Sequence, residues 1–208
     1  VAGWMTLHER FGKLPLEEVM APAIRYAEKG YPVTPNISRL WQEAFENYSK
    51  YRDRPEFQGW FDTFAPNNTW LKPGEMFRCP EMAKTLKEIA ATKGEAFYRG
   101  AIAEKIDAFF KKHNGFLTKE DLAAFKPEWV DPISVNYHGV DVWELPPNGH
   151  GITVLMALQI LKDMNLAERD CADTMHKQIE AMKLAMVDTA EYVAEPSFMR
   201  VSVDQLLS

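Results

Sequence analysis

The alternation of apolar and polar positions predicts a mainly helical chain with one short β-hairpin. Met82, Leu86, Ile89 and Ala90 share one helical face, and so do Ile102, Ile106, Phe109 and Phe110, with Gly94 and Gly100 bracketing the link between them. A helix is predicted from Ile37 to about Tyr48. Another, from about Thr174, aligns Ile179, Met182 and Met186. The apolar run Ile152 to Leu161, interrupted by Thr153 and Gln159, reads as a buried helix. Ile133-Ser134-Val135-Asn136-Tyr137 and Val140-Asp141-Val142-Trp143 alternate with period two around His138-Gly139, the pattern of a hairpin.

Helix ends are marked by chemistry. Pro15 falls in a first turn, with Glu17 and Glu18 suited to the positive helix end. Pro22 is expected to end that helix and to open a second short one that stops at Gly30, because proline removes a donor and crowds the preceding turn. Thr118 and Asp121 have capping-box spacing, flanked by Leu117 and Leu122 as a hydrophobic staple. The segment Asp53 to Gly74 reads as a long loop carrying Phe57, Trp60, Phe61, Phe64 and Trp70, either packed over the surface or serving a site.

Composition narrows the class. With 46% hydrophobic and 26% charged residues over 208 positions, the chain can bury a core, and disorder is excluded for most of it. A net charge of −6 argues against a nucleic-acid partner, which calls for a basic face. No apolar run approaches the roughly 18 residues of a membrane helix. Cys79 and Cys171 read as free thiols, a disulfide remaining possible where geometry permits. The sequon pattern occurs at Asn36, Asn47 and Asn67 and fixes no compartment. The chain opens at Val1 without an initiator Met and closes at Ser208 just after an apolar run, so it is expected to be a segment of a larger protein and not a complete catalyst.

Candidate chemistry is sparse. His8, His113, His138, His150 and His176 show no metal-ligand spacing, so no metal is expected, and no cofactor motif is present. There is no GxSxG elbow. Glu17-Glu18 and Glu120-Asp121 lie at helix starts, where helix electrostatics explains them. One loop stands out: Asn148-Gly149-His150-Gly151, between a predicted strand and a predicted helix. Its glycines serve either a tight turn that lets the helix pack closely, or a backbone open to a ligand.

In order along the chain, Val1-Ala2-Gly3-Trp4, Phe11-Gly12-Lys13-Leu14-Pro15-Leu16, Ala21-Pro22-Ala23-Ile24, Ala27-Glu28-Lys29-Gly30, Ala96-Phe97-Tyr98-Arg99-Gly100 with Ile102-Ala103, Leu117 to Ala123, Pro146 to Gly151, and Glu180 to Ala185 with Asp188 and Tyr192 resemble the γ-glutamyltransferase family. The Asn-Gly form of the loop is more similar to the family's acylase-like branch. Two positions depart from the family pattern: Asp188-Thr189 replaces a common Asp-Arg pair, and Glu195-Pro196 a common Asp-Pro. The resemblance implies that residues 1–208 are the helical portion of a large subunit, within the αββα sandwich of an N-terminal-nucleophile hydrolase. It implies a precursor that cuts itself before a Thr, with that Thr downstream of Ser208 and a substrate-holding Arg upstream of Val1. No catalytic residue is therefore assigned to this chain, and Thr174 and Thr189, inside predicted helices, are poor nucleophile candidates. The expected partners are the small subunit and a γ-glutamyl small molecule, and Asn148, Gly149, His150 and Gly151 are the candidate wall beside the substrate. The competing readings are a non-catalytic helical interaction module and a related acylase acting on other amides.

Overall fold

The computed structural model describes residues 1–166 and 168–208, which divide into two compact units, Val1–Pro127 and Glu128–Ser208. Both are mainly helical, each with one small antiparallel pair of strands.

In the first unit the chain runs through α1 (Ala2–Phe11), α2 (Leu16–Lys29), β1 (Tyr31–Pro32), α3 (Pro35–Ser49), α4 (Gln58–Phe64), β2 (Met76–Phe77), α5 (Pro80–Ala91), α6 (Glu95–Arg99), α7 (Ala101–Lys112) and α8 (Lys119–Ala124). Its core gathers Leu16 and Met20 of α2, Ile89 and Ala90 of α5, Ala96 of α6 and Ile102 of α7. The expectation that Pro22 divides two helices is wrong: α2 is continuous through it. Pro22 lies on the exposed side, while Leu16, Met20 and Ile24 keep the opposite stripe against the core. That apolar contact outweighs the roughly 3 kcal/mol an interior proline costs a helix.

The segment Asp53 to Gly74 also differs from its reading as a loop. Phe57, Trp60, Phe61 and Phe64 fall at helical spacing, and a 3-10 turn at Pro55–Phe57 leads directly into α4. The rings build a small aromatic core. Phe64 stacks on Phe77 of β2 with centroids 5.7 Å apart, Trp41 of α3 meets Phe77 edge-on at 4.9 Å, and Tyr48 meets Trp60 at 4.8 Å. The guanidinium of Arg52 lies 4.3 Å from the centre of the Phe61 ring. Packing is therefore what these aromatics do.

The capping box forms as read. The Thr118 hydroxyl accepts from the Asp121 amide, and the Asp121 carboxylate accepts from the Thr118 amide at 2.9 Å. A second carboxylate secures the same corner. Asp107 of α7, only 7% exposed, accepts from the Lys111 ammonium at 2.7 Å and from the Lys119 amide at 3.2 Å. The Lys111 bond, aided by the Lys119 amide, holds the Asp107 carboxyl below its ordinary value of 3.8. A carboxyl depressed on folding stabilises the fold fully above its unfolded value, and that contribution fades as pH falls through the lower folded value. The protection of amides 118–122, measured against the intrinsic exchange rate at each pH, should therefore fall on acidification below pH 3.8 in the wild type. In Asp107→Asn that protection should already be low at neutral pH and should change much less with acid.

In the second unit, β3 (Ile133–Tyr137) pairs with β4 (Val140–Glu144) in the predicted hairpin register, Ser134 opposite Trp143 and Tyr137 opposite Val140. His138 and Gly139 both take positive φ at the turn. Then follow α9 (Gly151–Leu161), α10 (Ala172–Tyr192) and α11 (Val203–Leu206). Helix α9 is the centre of this unit: Ile152 and Leu155 are fully buried, and Met156 and Ala157 nearly so. It meets α10 through Ala181 and Ala185, both 0% exposed, whose small side chains let the two helices approach closely. The larger residues of α10 point elsewhere. Ile179, Met182 and Met186 share the face that periodicity identifies, and all three are exposed within the unit.

Candidate functional site

The candidate loop leaves β4 at Glu144 and enters α9 at Gly151. Pro147 is buried and anchors the turn. Asn148, Gly149 and His150 are exposed and Gly151 is half-buried. The Pro147–Asn148 peptide is cis. His150 stands at the N-cap of α9 without a side-chain capping bond among the described residues, and its carbonyl accepts from the Thr153 amide at 3.0 Å. The four residues thus form one continuous turn with its outer edge open.

The two glycines have different physical reasons. A Cβ on Gly149 would meet only the Pro146 carbonyl, at 4.0 Å, so this glycine leaves backbone open to approach. A Cβ on Gly151 would stand 2.8 Å from Cδ and 2.9 Å from Cβ of Glu144, closer than side chains come. Gly151 is there because the end of β4 crosses the start of α9. Both proposed uses of glycine, close packing and an open backbone, occur within three residues.

Beneath the loop lies a pair of hydroxyls that sequence spacing could not reveal. Thr189 of α10 donates to the Ala185 carbonyl at 2.7 Å, which leaves its oxygen to accept from Thr153 of α9, also at 2.7 Å. Both threonines are buried, so the pairing satisfies groups that would otherwise be costly to bury. In the sequence Thr153 reads as an interruption of an apolar run, and its partner lies 36 positions away. This pair also accounts for the departure at Asp188-Thr189, since the side chain at 189 is sealed between two helices by a neutral hydrogen bond. At the second departure, the Glu195 carboxylate accepts from the Ser197 amide at 3.0 Å and caps the 3-10 turn Pro196–Phe198, a task a shorter carboxylate also performs.

Other groups that could carry chemistry lie elsewhere in the two units. Cys79 and Cys171 are free thiols. Cys171 caps α10, and its bonds with the Thr174 hydroxyl and amide draw the thiol below its ordinary value of 9.0. The first unit contains a cleft of about 670 Å³ bordered by His8, Glu9, Glu17, Lys93, Glu95 and Arg99. Arg99 donates to both carboxylate oxygens of Glu95, at 2.7 and 2.6 Å, and this bond holds Glu95 below its ordinary 4.5. His8 Nε2 lies 2.7 Å from the Leu14 carbonyl oxygen. Among the described residues, no three His, Cys, Asp or Glu side chains gather as a metal ion would require, and no helix is long and apolar enough to cross a membrane.

Comparison with known proteins identifies the family of this fold. The family described as Gamma-glutamyltranspeptidase matches residues 1–208. The Glutathione hydrolase proenzyme of Escherichia coli (strain K12) is 32% identical over 97% of this chain and 34% of its own length. The Acylase ACY 1 proenzyme of Pseudomonas sp. (strain V22) is 32% identical over 99% of this chain and 36% of its own. Among solved structures, cephalosporin acylase from Bacillus halodurans superposes with a TM-score of 0.97 at 53% identity, over 100% of this chain and 39% of that one. Helicobacter pylori gamma-glutamyltranspeptidase superposes at 0.88 with 28% identity, over 100% of this chain and 59% of that one. The chain spans 34–39% of the first curated relatives it matches. A profile match from the first residue to the last, joined to superposition along the whole chain, leaves one conclusion: the chain belongs to the gamma-glutamyltranspeptidase family.

Proposed function

We propose that this chain is the large-subunit segment of a self-processing acylase, built as part of an αββα sandwich, that cleaves amides of the cephalosporin side-chain or γ-glutamyl type. The observation that carries this reading is the likeness to the cephalosporin acylase, 53% identity over the whole chain against 28% for the H. pylori gamma-glutamyltranspeptidase. The acylase side of the family is therefore the better supported, with γ-glutamyl transfer as the second reading. The proenzyme names of the relatives agree with self-cleavage. The outward-facing Ile179, Met182 and Met186 agree with a helix that the rest of the protein covers.

In the proposed mechanism, cleavage of the precursor frees a Thr at the start of the small subunit, outside this chain. Its hydroxyl attacks the amide carbonyl while its own α-amine takes the proton. Donors around the carbonyl oxygen stabilise the tetrahedral anion. The amine leaves, and the acyl group passes from the Thr to water or to an amino acid. This chain contributes shape: the open edge at Asn148, Gly149 and His150 lines the substrate side, held in place by Gly151 against Glu144.

The test is the intact mass and N-terminal sequence of every chain in the full-length product, with hydrolysis of a cephalosporin side-chain amide and of a γ-glutamyl anilide measured side by side. Two chains, the second starting with Thr, and faster turnover of the cephalosporin amide are expected. Faster turnover of the anilide would move the assignment to γ-glutamyl transfer. One uncut, inactive chain would overturn the enzyme reading in favour of a helical interaction module.

A further inference from the structure

We propose that Asn148 is a site of spontaneous, self-directed modification: its side-chain amide is converted through a cyclic imide to aspartate and isoaspartate, selectively over the other Asn-Gly pair in the chain. The reaction needs no reagent but water. The backbone nitrogen of Gly149 attacks Cγ of Asn148, the new N–Cγ bond forms, the Cγ–NH2 bond breaks, and ammonia departs with the proton from Gly149. Water then opens the ring at one carbonyl or the other.

The structure decides which Asn-Gly pair can follow this path. At Asn114-Gly115 the attacking nitrogen is engaged: the Gly115 amide donates to the Phe110 carbonyl at 2.8 Å, closing the end of α7. Gly115 is also packed, since a Cβ there would lie 3.1 Å from Cγ of Phe110. Asn114 is held at φ 56° in this cap. At Asn148-Gly149 both residues are exposed, the Gly149 amide has no acceptor among the described residues, and nothing but the Pro146 carbonyl lies within 4 Å of where a Cβ would be. A nitrogen in a hydrogen bond must break it before it can attack, so the two identical dipeptides differ in reactivity by the strength of that bond. The imide requires nothing from the proposed catalytic role of the loop, and its readout is mass, so failure of either reading is visible without the other.

The experiment is incubation of the purified full-length protein in mildly alkaline buffer, followed by peptide mapping for amide-to-acid conversion at positions 148 and 114. Conversion at Asn148 should be roughly tenfold faster than at Asn114, the factor an ordinary hydrogen bond imposes. In strong denaturant, where the Phe110 bond is lost, the two rates should converge. Gly149→Ala has room for its methyl group and should suppress conversion at 148 while leaving 114 unchanged. Equal rates at the two sites in the native protein, or no conversion at 148 in the native protein, would overturn the proposal.

Discussion

Replacing Ile152 by alanine should be among the most destabilising single changes in the second unit, costing about 2–5 kcal/mol, with Ile152→Val costing only about 0.5–1.5. Ile152 is fully buried in a cluster with Met156, Ala157 and Ala185, and Ile133, Val193, Val203, Leu206 and Leu207 pack around it. The cluster therefore joins the hairpin, both long helices and the last short helix. The cost depends on how far the surroundings can collapse into the space left behind. Here collapse is limited, because α9 and α10 already touch through fully buried alanines and cannot move much closer. The check is hydrogen exchange in the full-length protein. The amides of α9 and α10 should lose protection together in Ile152→Ala and only slightly in Ile152→Val, while those of residues 1–127 stay protected. Loss confined to the first turn of α9 would show that Ile152 is a local contact and not the centre of the unit.

What the sequence made legible, and what it did not, follows from how local the cause is. The capping box at Thr118, the hairpin around His138-Gly139 and the buried helix at Ile152 to Leu161 each depend on residues within a turn or two of one another, and all three appear where the pattern predicts. Helix α1 escaped because its start carries no signal: Val1 offers no side-chain cap and the first turn contains no acid. Helix α4 escaped because Pro55 and Pro66, which only bound it, made the whole stretch look irregular. The exposed face of α10 has a different lesson. Periodicity identifies an apolar stripe, yet two stripes coexist on that helix, and the one that packs against α9 is made of Ala181 and Ala185. Small residues carry little hydrophobic signal but permit the closest approach. In the candidate site, the loop was legible from its glycines and its position between a strand and a helix. Glu144 was not, since spacing alone does not show that the strand end folds back on the helix start, and the Thr153–Thr189 pair was not, since it acts through a contact across the fold.

Gly151→Ala should impair function out of proportion to the size of a methyl group, and the geometry says why. The new Cβ would stand 2.8 Å from Cδ and 2.9 Å from Cβ of Glu144, so the conflict is with the root of a side chain fixed by the strand and not merely with its free end. Either Glu144 rotates away or the end of β4 separates from the start of α9. Overpacking of this kind costs typically about 1–3 kcal/mol. Separation would also carry the open edge at Asn148 to His150 with it, because Pro147 and Gly151 are its two anchors. Gly149→Ala supplies the comparison, since a methyl group there meets only the Pro146 carbonyl at 4.0 Å and should leave stability within about 0.5 kcal/mol of wild type. If the loop lines the substrate, Gly151→Ala should lower kcat/KM of the processed full-length enzyme by an order of magnitude or more, a misplacement of about 1 Å costing that much or more. Glu144→Ala in the same chain should recover part of the loss, because it removes the carboxylate end of the conflict and leaves only the contact with Cβ at 2.9 Å. Full activity in Gly151→Ala together with the expected loss of stability would confine the loop to a structural role and move the substrate wall elsewhere in the protein. Recovery by the second substitution would instead tie activity to this one contact between strand and helix.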